Sequence, residues 1–381
     1  MSPSEPPRIA IFLATSGQSG VDRFVRNLIP EIARRGYLVD VLCVRNHGPY
    51  LENLPDNVRL VDLGSKHVYT SIPAVIRYLK RCKPQVLFSD KDKVNRSAII
   101  ARFFARVRLT QVVRVGSTIS ETYRNRSAST VMQIKFSLRY LYPHAHRVIV
   151  PSTGAKEDLC REAKLPASHV EAIATPAIPD EAVHNDYPIP DHAWFQSKEK
   201  PIILGVGELS KRKDFATLLR AFAIVRQSLD CRLVIVGKGK QKEQLQALAK
   251  ALGVDEDFDL PGFVKEPYPW LFHADLKVLC SLTEGMPLVL MEALAMGTPV
   301  VATDCPSGPR EILQGGKYGG LVPMQDEKSL AQAIVNDIQE PPSRKTLRQA
   351  AEPYLVSNAT DAYLRCMGLP PRYEFSDAHK N

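Results

Sequence analysis

No stretch of about 18 uninterrupted apolar residues occurs in this chain, so the sequence offers no membrane-crossing helix. Its start, MSPSEPPR, has no apolar core behind the basic residue, and no signal peptide is expected there. The seven cysteines (Cys43, Cys82, Cys160, Cys231, Cys280, Cys305 and Cys366) are odd in number, widely spaced and without a CxxC pair. That excludes a disulfide framework and a structural zinc site, and it suits a reducing cytosol. No short-period repeat is present. With 24% charged and 44% hydrophobic residues, the 381-residue chain is not disordered or collagen-like. The length predicts two domains, each able to bury a core without staples.

Acid is scarce in one region. Residues 1–178 hold 27 Lys and Arg against 14 Asp and Glu, a surplus of 13, whereas the rest of the chain is short by 4. Between Lys93 and Lys156 there are twelve basic residues, and Glu121 is the single acid. Ile99, Phe103, Phe104, Met132, Phe136 and Tyr140 are interleaved with them. Solvated helices with arginine on their outer faces would read this way. So would a surface made for an anionic membrane or for nucleic acid.

Hydrophobic periodicity organises the chain. RIAIFLAT, residues 8–15, is a short apolar run ending in a glycine turn from Gly17 to Gly20. Val21, Phe24, Val25, Leu28, Ile29 and Ile32 then mark one helical face, with Gly36 as a stop and Pro30 expected to kink the helix. Residues 37–44, 85–89, 111–115 and 147–151 read as strands. From residue 179 to 200 the text is rich in Pro, Asp and His and aperiodic, which predicts a linker. Strands follow at 201–207, 232–237, 276–280 and 299–303, with helices between them. Alternating β and α at this spacing predicts two doubly wound α/β domains facing across a cleft, ligands binding at the carboxyl ends of their strands. The expected limits are 1–178 and 201–355, with a C-terminal helix and tail, 356–381, packing back on the first domain.

The most informative stretch is SLTEGMPLVLMEALAMGTPVVATD, residues 281–304. A strand runs into Glu284-Gly285-Met286-Pro287, and a helix follows whose N-terminal amides suit an anion. Glu284 and Glu292 lie eight residues, about two helical turns, apart. Alone, this spacing also fits a helix with one acid at its positive end and another on its wet face. Neither glutamate has an obvious basic partner in the sequence. His144 and His146 in YPHAHRV could pair on a metal, but capping before a strand explains them better. The DxD spellings at Asp90–Asp92 and Asp255–Asp257 fit a catalytic metal poorly, and no metal or other cofactor is expected.

Residues 201–323 resemble the donor-binding domain of retaining glycosyltransferases of family four, which have the GT-B fold of two Rossmann-like domains. The segments that carry the resemblance are GVGELSKRKDFATLLRAF, LVIVGKGK, LPGFV, EGMPLVLMEALAMGTPVVATD and GPREILQGGKYGGLVP. The first half is similar more loosely, through SGQSGVDRFVRNLIPEIARRGYLVDVL and RVIVPSTGAKEDL. The resemblance implies transfer of a hexose or N-acetylhexosamine from a nucleotide-diphosphate sugar to a glycan or lipid-linked glycan in cell-surface polysaccharide biosynthesis. Under it, Glu292 would bind the ribose, and Glu284 the transferred sugar together with the amides of Gly285 and Met286. The amides of Leu288 and Val289 would face the diphosphate, Lys213 would neutralise it, and the backbone at Phe263 and Val264 would meet the base. Gly207 and Gly237 would lie at the donor, and Gly17 and Gly20 would face its phosphates from the first domain. With a membrane-borne acceptor, the basic half would rest on an anionic membrane at its cytoplasmic face, and nucleic acid becomes the weaker partner.

Two departures stand out. The family's usual Gly-Arg-Leu is Gly207-Glu208-Leu209 here, which makes Arg212 the candidate to compensate. The family's mid-domain histidine is missing from Arg114-Val115-Gly116-Ser117-Thr118, so Arg114, Ser117 or Thr118 would stand on the acceptor side. Both keep open a nucleotide-sugar epimerase and a non-catalytic sugar-nucleotide-binding relative. A nicotinamide dehydrogenase is disfavoured, because Gly17-x-x-Gly20 lacks GxGxxG spacing.

Overall fold

The buried apolar runs become the centres of two parallel sheets. The computed structural model describes residues 6–17, 20–124, 126–284, 286–306 and 308–372. The described residues up to Ala177, together with those from Tyr354 onward, form one compact unit, and Ile178–Pro353 form another.

The first unit holds β1 (Arg8–Leu13), β2 (Leu38–Cys43), β3 (Val58–Asp62), β4 (Val86–Asp90), β5 (Thr110–Arg114), β6 (Arg147–Val150) and β7 (Val170–Ala172). They pair in parallel in the order β3-β2-β1-β4-β5-β6-β7, with Ile11 opposite both Val41 and Phe88. Alternate residues of β1 feed opposite cores. Ile9, Ile11 and Leu13 pack with Phe24, Leu28 and Ile32 of the Gly20–Arg34 helix. Ala10 and Phe12 pack with Leu79 and Ala98 of the Ile72–Cys82 and Asp92–Ala105 helices. A strand covered on both faces must be apolar at every position, which is why β1 reads as a continuous run. Pro30 lies within the Gly20–Arg34 helix without ending it. The Val356–Cys366 helix packs in this unit, with the Tyr363 ring 5.5 Å from Phe24 and 6.1 Å from Phe88.

The second unit holds β8 (Ile202–Val206), β9 (Arg232–Val236), β10 (Phe258–Gly262), β11 (Leu276–Leu279), β12 (Val300–Thr303) and β13 (Gly320–Val322). Their order is β10-β9-β8-β11-β12-β13, again all parallel. Strand order therefore reverses between β8 and β11, as it does between β1 and β4, and such switch points are where doubly wound sheets bind ligands. The 179–200 segment is not a bare linker. It belongs to this unit and carries a 3-10 turn at Asp180–Val183 and a helix at Ala193–Ser197. His192 Nε2 lies 2.8 Å from Asp259 Oδ2, and Phe195 packs edge-on against Trp270. Among the described residues, no helix is long and apolar enough to cross a membrane.

Candidate functional site

Because the second sheet is parallel, the carboxyl ends of β8, β9, β10 and β11 open on one edge, and the predicted donor residues gather there. Gly207 follows β8 and donates its N–H to Val236 O at 3.0 Å; Gly237 follows β9 and donates to Gly262 O at 2.8 Å. These two crossings need glycine. A Cβ on Gly237 would lie 1.8 Å from Gly207 O, and one on Gly207 would press on the Lys213 side chain at 3.1 Å. Phe263 comes directly after β10, exposed, with Lys238 Nζ 5.0 Å from its ring centre. Val264 is half-buried beside it.

Lys213 closes a 3-10 turn, Lys211–Lys213, and its ammonium donates to Glu284 Oε1 at 2.6 Å. Ser281 Oγ donates to the same oxygen at 2.7 Å, and Arg212 Nη1 stands 3.2 Å from it. Arg212 also donates to Thr283 O at 3.1 Å, and Leu282 N donates to Arg212 O at 2.8 Å, so two loops far apart in sequence are stitched together. Burial alone would raise the Glu284 carboxyl. The Lys213 charge and hydrogen bond, then Ser281 and Arg212, outweigh it and hold the group below the usual range. Glu284 therefore has basic partners that lie about seventy residues back in the chain.

After Glu284 the chain reaches the Leu288–Met296 helix, which Gly297 ends in a left-handed conformation, φ 74°. Met286, Leu288 and Val289 are half-buried at its start, where the first amides have no partner within the helix. Gly285 lies outside the described residues. Glu292 is buried on this otherwise apolar helix, so it does not occupy a wet face. Nearby, Lys277 of β11 is fully buried, and its ammonium is pushed down to about 7, by burial first and then by Lys213, against the opposing pull of Cys280, Glu284 and Glu292. Glu208 is exposed.

In the first unit, Gly17 has φ 85°, and its carbonyl accepts from Arg26 Nη2 at 3.0 Å; Gly20 opens the helix that follows. Arg114 is buried and committed inward. Its Nη1 donates to Asp90 at 2.7 Å, Nε to Tyr363 Oη at 3.0 Å and Nη2 to Thr175 at 3.2 Å. Ser117 is exposed and Thr118 half-buried, at the start of the short Ile119–Arg124 helix, where Thr122 Oγ1 donates to Thr118 O. His146 Nδ1 accepts from Gln111 N at 2.9 Å. Asp92 accepts from Ser137 and pairs with Arg96, while Asp257 pairs with Arg226 and Lys200. No group of three metal-ligating side chains occurs among the described residues.

Sequence reasoning passed over Ser281, Lys238, Lys277 and Tyr363. Only Ser281 carried a local signal, three residues before Glu284. The others act through contacts that the fold makes.

Comparison with known proteins bears on the family and the fold. The model described as Glycosyl transferases group 1 matches residues 200–340, and that of Glycosyltransferase Family 4 matches residues 18–180. A relative in Campylobacter jejuni is 27% identical over 365 residues, 91% of this chain and 94% of that protein. It is the N-acetylgalactosamine-N,N'-diacetylbacillosaminyl-diphospho-undecaprenol 4-alpha-N-acetylgalactosaminyltransferase. Among solved structures, Anabaena HepE in complex with UDP superposes with a TM-score of 0.74 at 17% identity, over 95% of this chain and 99% of that one. The apo form of the lipopolysaccharide outer core galactosyltransferase WaaB gives a TM-score of 0.71 at 18% identity, with the same coverage.

Proposed function

The chain belongs to the group 1 and family 4 glycosyltransferases and has their GT-B fold; from that premise we propose that it moves a hexose or N-acetylhexosamine, with retention, from a nucleotide-diphosphate sugar to a lipid-linked glycan in cell-surface polysaccharide assembly. The observation that carries this reading is the convergence of Lys213, Arg212 and Ser281 on Glu284, immediately before a helix N-terminus and two turns from buried Glu292. Similarity to a transferase whose name specifies a diphospho-undecaprenol acceptor supports the lipid-linked part. Under this reading the transfer takes place at the cytoplasmic face of a membrane.

Breaking a sugar–diphosphate bond leaves positive charge on the anomeric carbon and growing negative charge on the leaving phosphate. Preorganised cations and amides lower the barrier by meeting that charge as it develops. Lys213 is placed to do so. Its ammonium has three donors, one of which Glu284 accepts, so the others can turn to phosphate oxygens. The amides of Leu288 and Val289 add the helix's positive end. Arg212 supplies the second cation that Glu208 cannot. Glu284, held ionised, accepts from sugar hydroxyls, and Glu292 accepts from the ribose. The acceptor hydroxyl attacks the face that the phosphate leaves, and the departing phosphate takes its proton. No protein nucleophile is needed, and no metal is assigned to the site.

The test is a screen of nucleotide sugars by thermal shift, since a donor at 100 times its dissociation constant stabilises the fold by roughly 2.7 kcal/mol. The donor so found is then incubated with and without lipid-linked acceptors. Transfer that inverts the anomeric centre, turnover of the donor alone, or donor binding without turnover would each replace this reading, the last two by the epimerase and the binding protein.

A further inference from the structure

One lysine of the second unit stands where a parallel sheet normally takes apolar side chains. Lys277 lies in β11 between Leu204 of β8 and Val300 of β12, and it is fully buried. Alternation along the strand sets its direction. Leu276, Val278 and Cys280 enter the core that Leu218, Leu330 and Ile334 fill on one face of the sheet. Lys277 and Leu279 therefore point to the other face, where the Leu288–Met296 helix packs. That helix is apolar except for Glu292, which is itself buried. A strand and the helix packed on it thus carry one buried charge each, of opposite sign.

Among the described residues the Lys277 ammonium has one hydrogen-bond acceptor, Val278 O, and a carbonyl does not neutralise a buried cation. The charges that reach it come from other elements. Glu292 acts from the helix, Glu284 from the turn after β11, and Lys213 from the loop after β8. Cys280, at the end of the strand, also acts on it, and its Sγ donates to Lys213 O at 3.0 Å. The flanking strands, Ile202–Val206 and Val300–Thr303, bring no titratable side chain. Lys213 already pairs with Glu284, so Lys277 is the cation placed to balance Glu292.

We propose that Lys277 is a positioning residue of the donor site: it gives Glu292 a buried counter-charge, keeps it an anionic acceptor for the ribose, and so couples nucleotide binding to a proton. This rests on the transferase reading for the role of Glu292 and adds to it a dependence on pH. Lys277 is closed off from solvent, so it acts through Glu292 and not by touching the nucleotide. With its ammonium brought down to about 7, chiefly by burial, it is charged on the acid side of that value and neutral on the alkaline side. A nucleoside diphosphate is an anion and binds the charged form more tightly. Affinity therefore weakens as the ammonium loses its proton, and binding on the alkaline side draws a proton onto the chain.

Calorimetry on the purified chain tests this with UDP, GDP and ADP, the tightest of the three being carried forward. At about pH 8, where the diphosphate is fully ionised, heats in HEPES and in Tris should differ by the uptake of a fraction of one proton. Lys277→Met keeps the length of the side chain and drops its charge. It should bind about tenfold more weakly than the parent at about pH 6.5, take up no proton, and converge on the parent at about pH 9. Added to Glu292→Gln it should bring no further loss, because the counter-charge works through that carboxylate. The double variant buries neither charge, so it serves even where Lys277→Met alone does not fold, and melting midpoints show which variants do. A parent that takes up no proton, a Lys277→Met variant with the parent's pH dependence, or losses that add in the double variant would overturn the proposal. Tight binding without proton uptake would leave the transferase reading standing, whereas a parent that binds none of the three nucleotides would remove both.

Discussion

Each sheet brings a cation to a carboxylate at the carboxyl ends of its strands, and the two pairs serve opposite ends. Asp90 and Arg114 finish β4 and β5, and both are buried. All three guanidinium nitrogens of Arg114 are engaged, and its carbon centre lies 4.2 Å from the centre of the Phe24 ring. That pair is closed and holds the Val356–Cys366 helix through Tyr363. The pair of Lys213 and Glu284 is open. The Lys213 side chain keeps 11% of its exposure, against 5% for Arg114, and Arg212 beside it keeps 46%. A cation becomes a pin when every donor is spent internally and a ligand site when some are kept back. Position at a strand end does not distinguish the two.

The sharpest way to break this comparison is to remove each cation and ask whether stability or activity suffers. Arg114→Met leaves Asp90 buried without its partner, and should cost about 3–5 kcal/mol of stability by denaturant titration. A cost under about 1 kcal/mol would show that Arg114 is not a pin. Lys213→Ala should lower kcat/KM by about 10² to 10³ while the melting midpoint moves little. Loss of folding with little loss of turnover would reverse the two assignments. Glu292→Gln should weaken nucleotide binding about tenfold, read as a diminished thermal shift with UDP and related nucleotides, since a charged acceptor is exchanged for a neutral one.

The smallest effect is in acid. The Glu284 carboxyl is held below its ordinary value in the folded chain. Its contribution to stability is therefore complete above the unfolded value and is lost as pH falls through the folded one. Lys213→Ala should raise the folded value and move the onset of acid unfolding to higher pH, followed by circular dichroism. An unchanged acid limb would mean that the pair contributes nothing to stability.

The strands that could be read from sequence and those that could not are divided by position in the sheet. β1, β2, β4, β5 and β6, and β8, β9, β11 and β12, all appear as apolar runs. β3, β7, β10 and β13 do not, and they are the four edges of the two sheets. An edge strand is paired on one side only and is often short or partly polar. β3 leaves four of its five residues exposed or half-exposed, β7 and β13 have three residues each, and β10 contains Pro261. The site divides in a similar way. The setting of Glu284 was legible because a strand end and a helix start are local in sequence. Of its partners, Lys213 was recognisable by resemblance and Arg212 only as a stand-in for the missing arginine, whereas the contact itself depends on a crossing between two loops. The burial of Glu292 was not legible either, because a helix that is apolar all round gives no wet face from which to infer it.

The return of the chain to its first unit also sets an order of events during synthesis. Residues 178–353, with all six strands of the second sheet, leave the ribosome before Tyr363 does. Until then the Arg114 guanidinium has no Tyr363 hydroxyl, and Phe24 and Phe88 lack the third ring of their cluster. Domains of nascent chains generally mature from the N-terminus onward. Here the half that is made first is completed last, and a chain cut short at Pro353 would carry an intact second sheet beside an unsealed first one.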